Sequence, residues 1–237
     1  MQDTEHPPAT VRQMAEEMLR AAIVAGDLQP GQRLTERSLS ALTGAGRTTV
    51  REAVRQLESE GLLHSVPHRG PMVAVLSEPE ARDLYELRAM LEGQAGRLCA
   101  LRGNMHHHAA LHMAVDALDH ARQAGSMLGV LQANTAFYEA LNDGAGNKAL
   151  RQAMLGLHNR LAFFRFSSTR WPGRSAQSVF ELRAIADAVM LRDPAAAEAA
   201  CIHHIEAAAE LALLLLAERA RGAALVRRPR RAAFEKA

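Results

Sequence analysis

A chain of 237 residues with 48% hydrophobic but only 4% aromatic residues has room for one large or two smaller domains, and its Ala- and Leu-rich make-up favours helices over sheets. The net charge of +2 divides into −1 over residues 1–76, −2 over 77–220 and +5 over the last 17, which excludes a globally basic nucleic-acid binder and leaves any DNA contact to the placement of particular arginines. Cys99 and Cys201 form no CxxC pair, the polar start with Asp3, Glu5 and Pro7-Pro8 has no signal pattern, and the longest apolar run, Leu211 to Ala217, is too short for a bilayer; a reduced cytoplasmic compartment and no membrane partner are expected, with both thiols as core hydrophobes.

Thr10 with Gln13 fits a capping box, and Val11, Met14, Met18 and Ala22 repeat behind it at helical spacing. Gly26 should end this helix, with Leu28-Gln29-Pro30-Gly31 as a turn. Leu34 and Thr35 introduce a short second helix to about Leu42, with Leu39 and Leu42 as core positions, and Gly44-Ala45-Gly46 is the tight turn after it. In residues 46–61, Val50, Ala53, Val54 and Leu57 share one face, while Arg47, Arg51 and Arg55 recur every four residues along another. Thr48 and Thr49 lie in the first turn. Such a helix suits a major groove: guanidinium forks reach guanine edges or phosphates, and the free N–H groups of the helix start add phosphate contacts. A solvated arginine face is the plainer account of this stretch alone.

Its neighbours favour the first account. Two short helices joined through glycine are the helix-turn-helix pattern. After Gly61 the period changes, and Leu62–Val66 and Met72–Leu76 read as strands around Pro67-His68-Arg69-Gly70-Pro71. That hairpin is a wing able to carry Arg69 into a minor groove beside a flexible Gly70.

Leu34-Thr35-Glu36-Arg37-Ser38-Leu39, then Arg47-Thr48-Thr49-Val50-Arg51-Glu52-Ala53, Glu60-Gly61-Leu62-Leu63 and Pro67-His68-Arg69-Gly70 together resemble the GntR family of winged helix-turn-helix regulators over nearly all of residues 10–76. The resemblance implies operator contacts from Arg37, Arg47, Thr49, Arg51 and Gly70, with Arg69 in the wing. Gly46 stands where the family often has serine, so one hydroxyl contact is absent while the helix keeps an acceptable N-cap.

Residues 77–221 read as six helices. Ser77 with Glu80 caps the first, whose apolar stripe is Leu84, Leu87, Leu91, Ala95 and Leu98, and Gly103-Asn104 breaks it. Segments at roughly 107–124, 127–142, 147–166 and 176–192 follow, then Asp193-Pro194 opens a last helix to about Arg221. Short connections imply an antiparallel bundle able to enclose a ligand. His106-His107-His108 reads as a solvated helix start, because successive residues on a helix point apart. Arg227-Arg228-Pro229-Arg230-Arg231, in the tail 222–237, reads as disordered.

Arg88 with Glu92, Asn134 to Phe137-Tyr138, Gly146-Asn147, and Ile185 to Asp193 with Ala197 and His204 resemble the FCD effector domain of the family's FadR branch. Many FCD domains hold a divalent metal with an aspartate and three histidines. Here those positions are Asn134, Tyr138, Leu182 and His204, and an amide, a phenol and an alkyl chain do not replace such donors, so no metal cofactor is expected. By family position an organic effector is then expected among Arg88, Asn134, Tyr138 and His204, with Arg88 suited to a carboxylate or phosphate by forked hydrogen bonding. An i,i+4 pair between Arg88 and Glu92, and a satisfied core histidine at 204, are the structural alternatives.

The expected architecture is mainly α, a winged helix-turn-helix at 10–76 followed by an antiparallel all-α bundle at 77–221. The expected function is a non-enzymatic, homodimeric repressor of GntR type that binds double-stranded operator DNA under control of a small effector. A bundle that only dimerises is one other reading. A helical-bundle metalloenzyme is the second, disfavoured because no nucleophile elbow, metal-spaced carboxylate pair or phosphate-cradling loop occurs.

Overall fold

The computed structural model describes residues 10–66, 69–161, 164, 171 and 173–226. The expected roles of Pro67 and His68, the end of the helix expected at 147–166, and the tail from 227 onward lie outside the described residues.

Local capping sets the first helices. In α1 (Val11–Ala25), Thr10 and Gln13 form the reciprocal capping box, and Gly26 closes the helix in the left-handed conformation. α2 (Glu36–Thr43) has a second box, Thr35 with Ser38, and α3 (Arg47–Ser59) starts from Gly46 with no side-chain cap. A Cβ at Gly46 would meet nothing within 4 Å. Gly46→Ser is therefore expected to add a cap hydrogen bond and a few tenths of a kcal/mol of stability, read as a small rise in melting temperature.

α1, α2 and α3 close over one core of Leu19, Ile23, Leu34, Leu39, Val50, Ala53, Leu57 and Leu63. The inward face of α1 is not the one its spacing suggests. Ala15, Leu19, Ala22 and Ile23 are buried, while Val11 (65% exposed), Met14 (53%) and Met18 (43%) face out. The helix is apolar on two sides, and packing against α3 selects one. Leu42, expected in the core, is likewise exposed.

β1 (Leu63–Val66) and β2 (Gly70–Val73) pair antiparallel, Val66 opposite Gly70 and Leu63 opposite Val73. The second strand thus begins two residues earlier than its apolar run suggests, with Gly70 and Pro71 inside it. Gly70 has φ 78°, a conformation that strains any side chain. On the far side of β2 the segment after Gly31 adds a short bridge, Arg33 opposite Met72, with Leu34 N–H donating to Pro71 O at 2.8 Å.

Among the described residues six helices follow: α4 (Glu78–Arg102), α5 (Met105–Gln123), α6 (Met127–Ala145), α7 (Lys148–Arg160), α8 (Arg174–Met190) and α9 (Pro194–Val226). Capping again sets the starts, with Ser77 and Glu80 on α4, Asn104 on α5 and Asp193 Oδ1 accepting from Ala195 and Ala196 N–H at the head of α9. α9 runs five residues past its expected end, into the stretch expected to be disordered. By length and composition Pro194–Glu218 could cross a bilayer, a property that the seven-residue run at 211–217 conceals. Here one face of it packs along α4 and α8, and 28% of that apolar stretch is buried.

The pairing of α4 with α9 is the most extensive in the molecule, and Gly96 permits it: a Cβ there would lie 2.5 Å from Cys201 Sγ and 2.9 Å from Ala197 O. Leu87, placed on the apolar stripe of α4, is 45% exposed; Tyr85, Arg88 and Glu92 turn inward instead. Of the three histidines at the start of α5, His107 accepts from the Asn104 N–H, but His108 is only 1% exposed. Burial lowers its pKa, so it enters the core neutral and is not part of a solvated start.

Candidate functional site

Two regions gather the residues singled out by sequence. The first is the outer face of α3. Val50, Ala53, Val54 and Leu57 are buried, which forces Arg47, Arg51 and Arg55 outward, and all three are exposed. Thr48 is exposed and Thr49 half-buried at the helix start. Arg37 on α2 and Arg69 at the described edge of the hairpin are exposed as well, and Gly70 opens β2.

Arg51 is not a free cation. Its Nε and Nη2 donate to the two carboxylate oxygens of Glu36 on α2, the second at 3.2 Å. That hydrogen bond lowers the Glu36 pKa and raises that of Arg51. The fork is thereby aimed across the α2–α3 junction before any ligand arrives. Glu58 and Ser65 hydrogen-bond between α3 and β1, which ties the arginine helix to the wing.

The second region is a cavity of about 280 Å³ inside the bundle, close to the roughly 300 Å³ at which ligand pockets begin. Arg88, Asn134, Tyr138 and His204 all line it, and Arg174, His158, Arg20 and Asn159, which sequence reasoning missed, line it too. Among the described residues no Asp or Glu lines it. Each arginine is instead gripped from behind by a carboxylate. Arg88 Nε donates to Glu92 Oε1 at 2.7 Å with both groups buried, Arg174 Nη1 to Glu181 Oε2 at 2.8 Å, and Arg20 to Glu60 at 2.8 Å.

The first two of these pairs join into one relay. Arg88 Nη2 donates to the Tyr138 hydroxyl at 3.1 Å, Tyr138 Oη lies 2.9 Å from His204 Nε2, and His204 Nδ1 lies 2.6 Å from Glu181 Oε2. Burial lowers the His204 pKa, against the pull of Glu181. A neutral imidazole fixes every proton: Nδ1–H donates to Glu181, Nε2 accepts from Tyr138, and the phenol oxygen accepts from Arg88. The Arg88 guanidinium also stacks 5.6 Å from the Tyr138 ring and 5.8 Å from that of Tyr85. Burial raises the Glu92 carboxyl, but Arg88 beside it, with His158 and His204, holds it down to about 2.

Tyr138→Phe keeps the ring and removes the phenol oxygen, leaving Arg88 Nη2 and His204 Nε2 each without that partner. About 1–2 kcal/mol of stability should be lost, the cost of buried groups left unmatched, measurable by denaturant unfolding.

The same geometry answers the metal question. His204 has one ring nitrogen on Glu181 and the other on Tyr138, Asn134 Nδ2 donates to Val130 O at 3.1 Å, and Leu182 is fully buried in the core. Among the described residues no three His, Cys, Asp or Glu side chains come together as ligands. These donors do not fit the Asp-and-three-His site of metal-holding FCD domains.

Comparison with known proteins matches the segments that hold both regions. Residues 11–73 match the family model described as bacterial regulatory proteins, gntR family, and residues 83–207 match the FCD domain model. The chain is 32% identical to the "Probable D-xylose utilization operon transcriptional repressor" of Paenarthrobacter nicotinovorans, over 84% of this chain and 87% of that protein. It is 28% identical to the HTH-type transcriptional repressor GlaR of Escherichia coli, over 79% of this chain and 89% of that one. Among solved structures, E. coli McbR/YncC superposes with a TM-score of 0.73 at 20% identity, covering 90% of this chain and 99% of that one. A GntR family member from Pseudomonas syringae gives a TM-score of 0.51 at 30% identity, with 92% and 91% covered.

Proposed function

The chain belongs to the GntR family of bacterial regulatory proteins and carries an FCD domain, and from that premise we propose a homodimeric repressor of the bacterial cytoplasm that releases its operator when a small organic anion enters the bundle. It is a DNA-binding transcription regulator, not an enzyme. In this reading residues 10–76 are the DNA-binding domain and 77–221 the effector and dimerisation domain. Arg37, Arg47, Thr48, Thr49, Arg51, Arg69 and Gly70 meet the operator, and Arg88, Asn134, Tyr138 and His204 meet the effector.

One observation carries the DNA reading: α3 buries a full apolar face and so presents Arg47, Arg51 and Arg55 together, next to the wing. Two such helices related by a dimer axis read an inverted repeat. The repressor sense follows the named function of two relatives. Selection of bound duplexes from a random pool tests it, an inverted repeat being the expected product.

The anion reading rests on a cavity wall that, among the described residues, holds three arginines and no carboxylate. Guanidinium forks favour carboxylate or phosphate oxygens. Thermal shift with a series of C2–C6 carboxylates, using neutral sugars as controls, tests this class. A stabilising carboxylate supports it, and stabilisation by the sugars alone contradicts it.

A further inference from the structure

We propose that Arg20, on the first helix of the DNA-binding half, is an anion-binding residue of the bundle cavity, and that Glu60 at the end of α3 is the internal carboxylate it gives up when the anion arrives. The proposal rests on the reading of that cavity as an anion site.

Arg20 lines the cavity together with Arg88, Tyr138, His204 and Asn159. Its guanidinium is held by Glu60: Nη2 lies 2.8 Å from Oε1 and 2.9 Å from Oε2, and Nε lies 3.2 Å from Oε2. The same carboxylate accepts from Asn159 Nδ2 of α7 at 2.9 Å and from Gln56 Nε2 of α3 at 3.0 Å. Glu60 is also the C-terminal cap of α3, its N–H donating to Gln56 O. A single carboxylate therefore joins three things: the end of the arginine helix, a cavity residue on α1 and a cavity residue on α7.

Glu60 and a carboxylate ligand are chemically alike, and both want the same planar fork. An anion that takes the Nε–Nη2 edge of Arg20, the edge that Glu60 holds, displaces the carboxylate from it. Glu60 then sits part-buried, with its side chain 14% exposed, lacking the cation that offsets its desolvation. It relaxes by leaving Asn159 for solvent, which loosens the seat of α3 on α7. That contact is tight: a Cβ at Gly61, the next residue, would come within 3.2 Å of the Arg160 side chain. Ligand occupancy and the clasped head thus compete for one guanidinium, so anion binding disfavours the clasped arrangement and operator binding reciprocally disfavours the anion. The clasped form, present with no ligand, is the operator-binding one in a repressor released by its effector.

The test uses the full chain and opposite-signed variants. Melting shifts are recorded with acetate, succinate and inorganic phosphate as probes, and operator affinity is measured on the duplex obtained by selection. Arg20→Gln should lose most of the anion-induced shift. Glu60→Gln, which removes the competing charge, should enlarge that shift and bind operator at least fivefold more weakly without ligand. A residue with a merely structural role would not tighten anion binding. Asn159→Ala, which keeps the Arg20–Glu60 pair, should also weaken ligand-free operator binding several-fold, with circular dichroism confirming that each variant folds. Equal anion shifts in wild type, R20Q and E60Q, or operator affinities within twofold of wild type for E60Q and N159A, overturn the proposal while leaving the cavity reading intact. No melting shift of the wild type with any of the three anions overturns the cavity reading and this proposal with it.

Discussion

Glu92→Ala is expected to cost about 3–5 kcal/mol, the usual penalty for breaking a buried ion pair from one side. Arg88 and Glu92 are 2% and 1% exposed, so loss of the carboxylate leaves a largely desolvated guanidinium without its counter-charge. The cost comes from the stranded charge more than from the lost attraction. The double variant Arg88→Met/Glu92→Leu should therefore recover much of the stability lost in Glu92→Ala, because an apolar pair needs no counter-charge. Chemical denaturation reads both values. If Glu92→Ala costs under 1 kcal/mol, the pair is solvated and the buried relay described above is wrong.

The same pair sets a pH window. In the folded chain the Glu92 carboxyl is held down to about 2 from its ordinary value of 4.5. The unfolded chain therefore takes up its proton first as pH falls, so this contribution is complete above about 4.5 and disappears between there and about 2. His204 acts in a higher window. Its folded pKa is below the ordinary histidine value of 6.5, so the unfolded state is protonated first and stability begins to fall as pH drops through 6.5. His204→Gln should flatten the upper slope and Glu92→Gln the lower one, in melts recorded from pH 8 to pH 3.

Arg51→Ala is the second large effect, about 1–3 kcal/mol of specific operator binding, or roughly 5- to 150-fold. Arg51 is exposed and the side chain of its partner Glu36 is 39% exposed, so the variant should fold as the wild type does and the loss should fall on DNA. The two kinds of contact separate in a salt titration. A phosphate contact lowers the salt slope by about one and weakens all sequences alike; a base contact leaves the slope nearly unchanged and relaxes one position of the site. Melting temperature unchanged alongside unchanged operator affinity would remove Arg51 from the interface.

What the sequence made legible is what local chemistry decides. Thr10 with Gln13, Ser77 with Glu80, and Asp193-Pro194 each satisfy helix-start N–H groups within four residues, and the helices begin there. Val50, Ala53, Val54 and Leu57 leave α3 a single inward face, so the outward arginines follow. α1 shows the limit. Val11, Met14 and Met18 satisfy the same period as Ala15, Leu19 and Ile23, and only packing against α3 chooses between them. Gly70 and Pro71 look like turn residues, yet they pair in β2 because the chain after Gly31 supplies a partner on the other edge.

In the cavity, the four residues marked by family position do come together, but their partners were hidden. Arg174 and Glu181 are seven residues apart across the start of α8, His204 and Glu181 twenty-three apart, and Asn159 and Glu60 ninety-nine apart. No periodicity encodes such pairs. The neutral state of His204 and the buried histidine at 108 likewise depend on what surrounds them, not on their neighbours in sequence.

The central claim, that α3 and its wing read duplex DNA through outward arginines, is tested most directly by one titration. The wild type and the Arg47→Ala/Arg51→Ala double variant are compared by fluorescence anisotropy on the selected inverted-repeat duplex and on a scrambled duplex of equal length. The account predicts tight wild-type binding to the repeat, at least a hundredfold preference over the scrambled duplex, and loss of that preference in a double variant that still melts like the wild type. Equal binding of wild type and double variant to the repeat, or a wild type that does not distinguish the two duplexes, would contradict it.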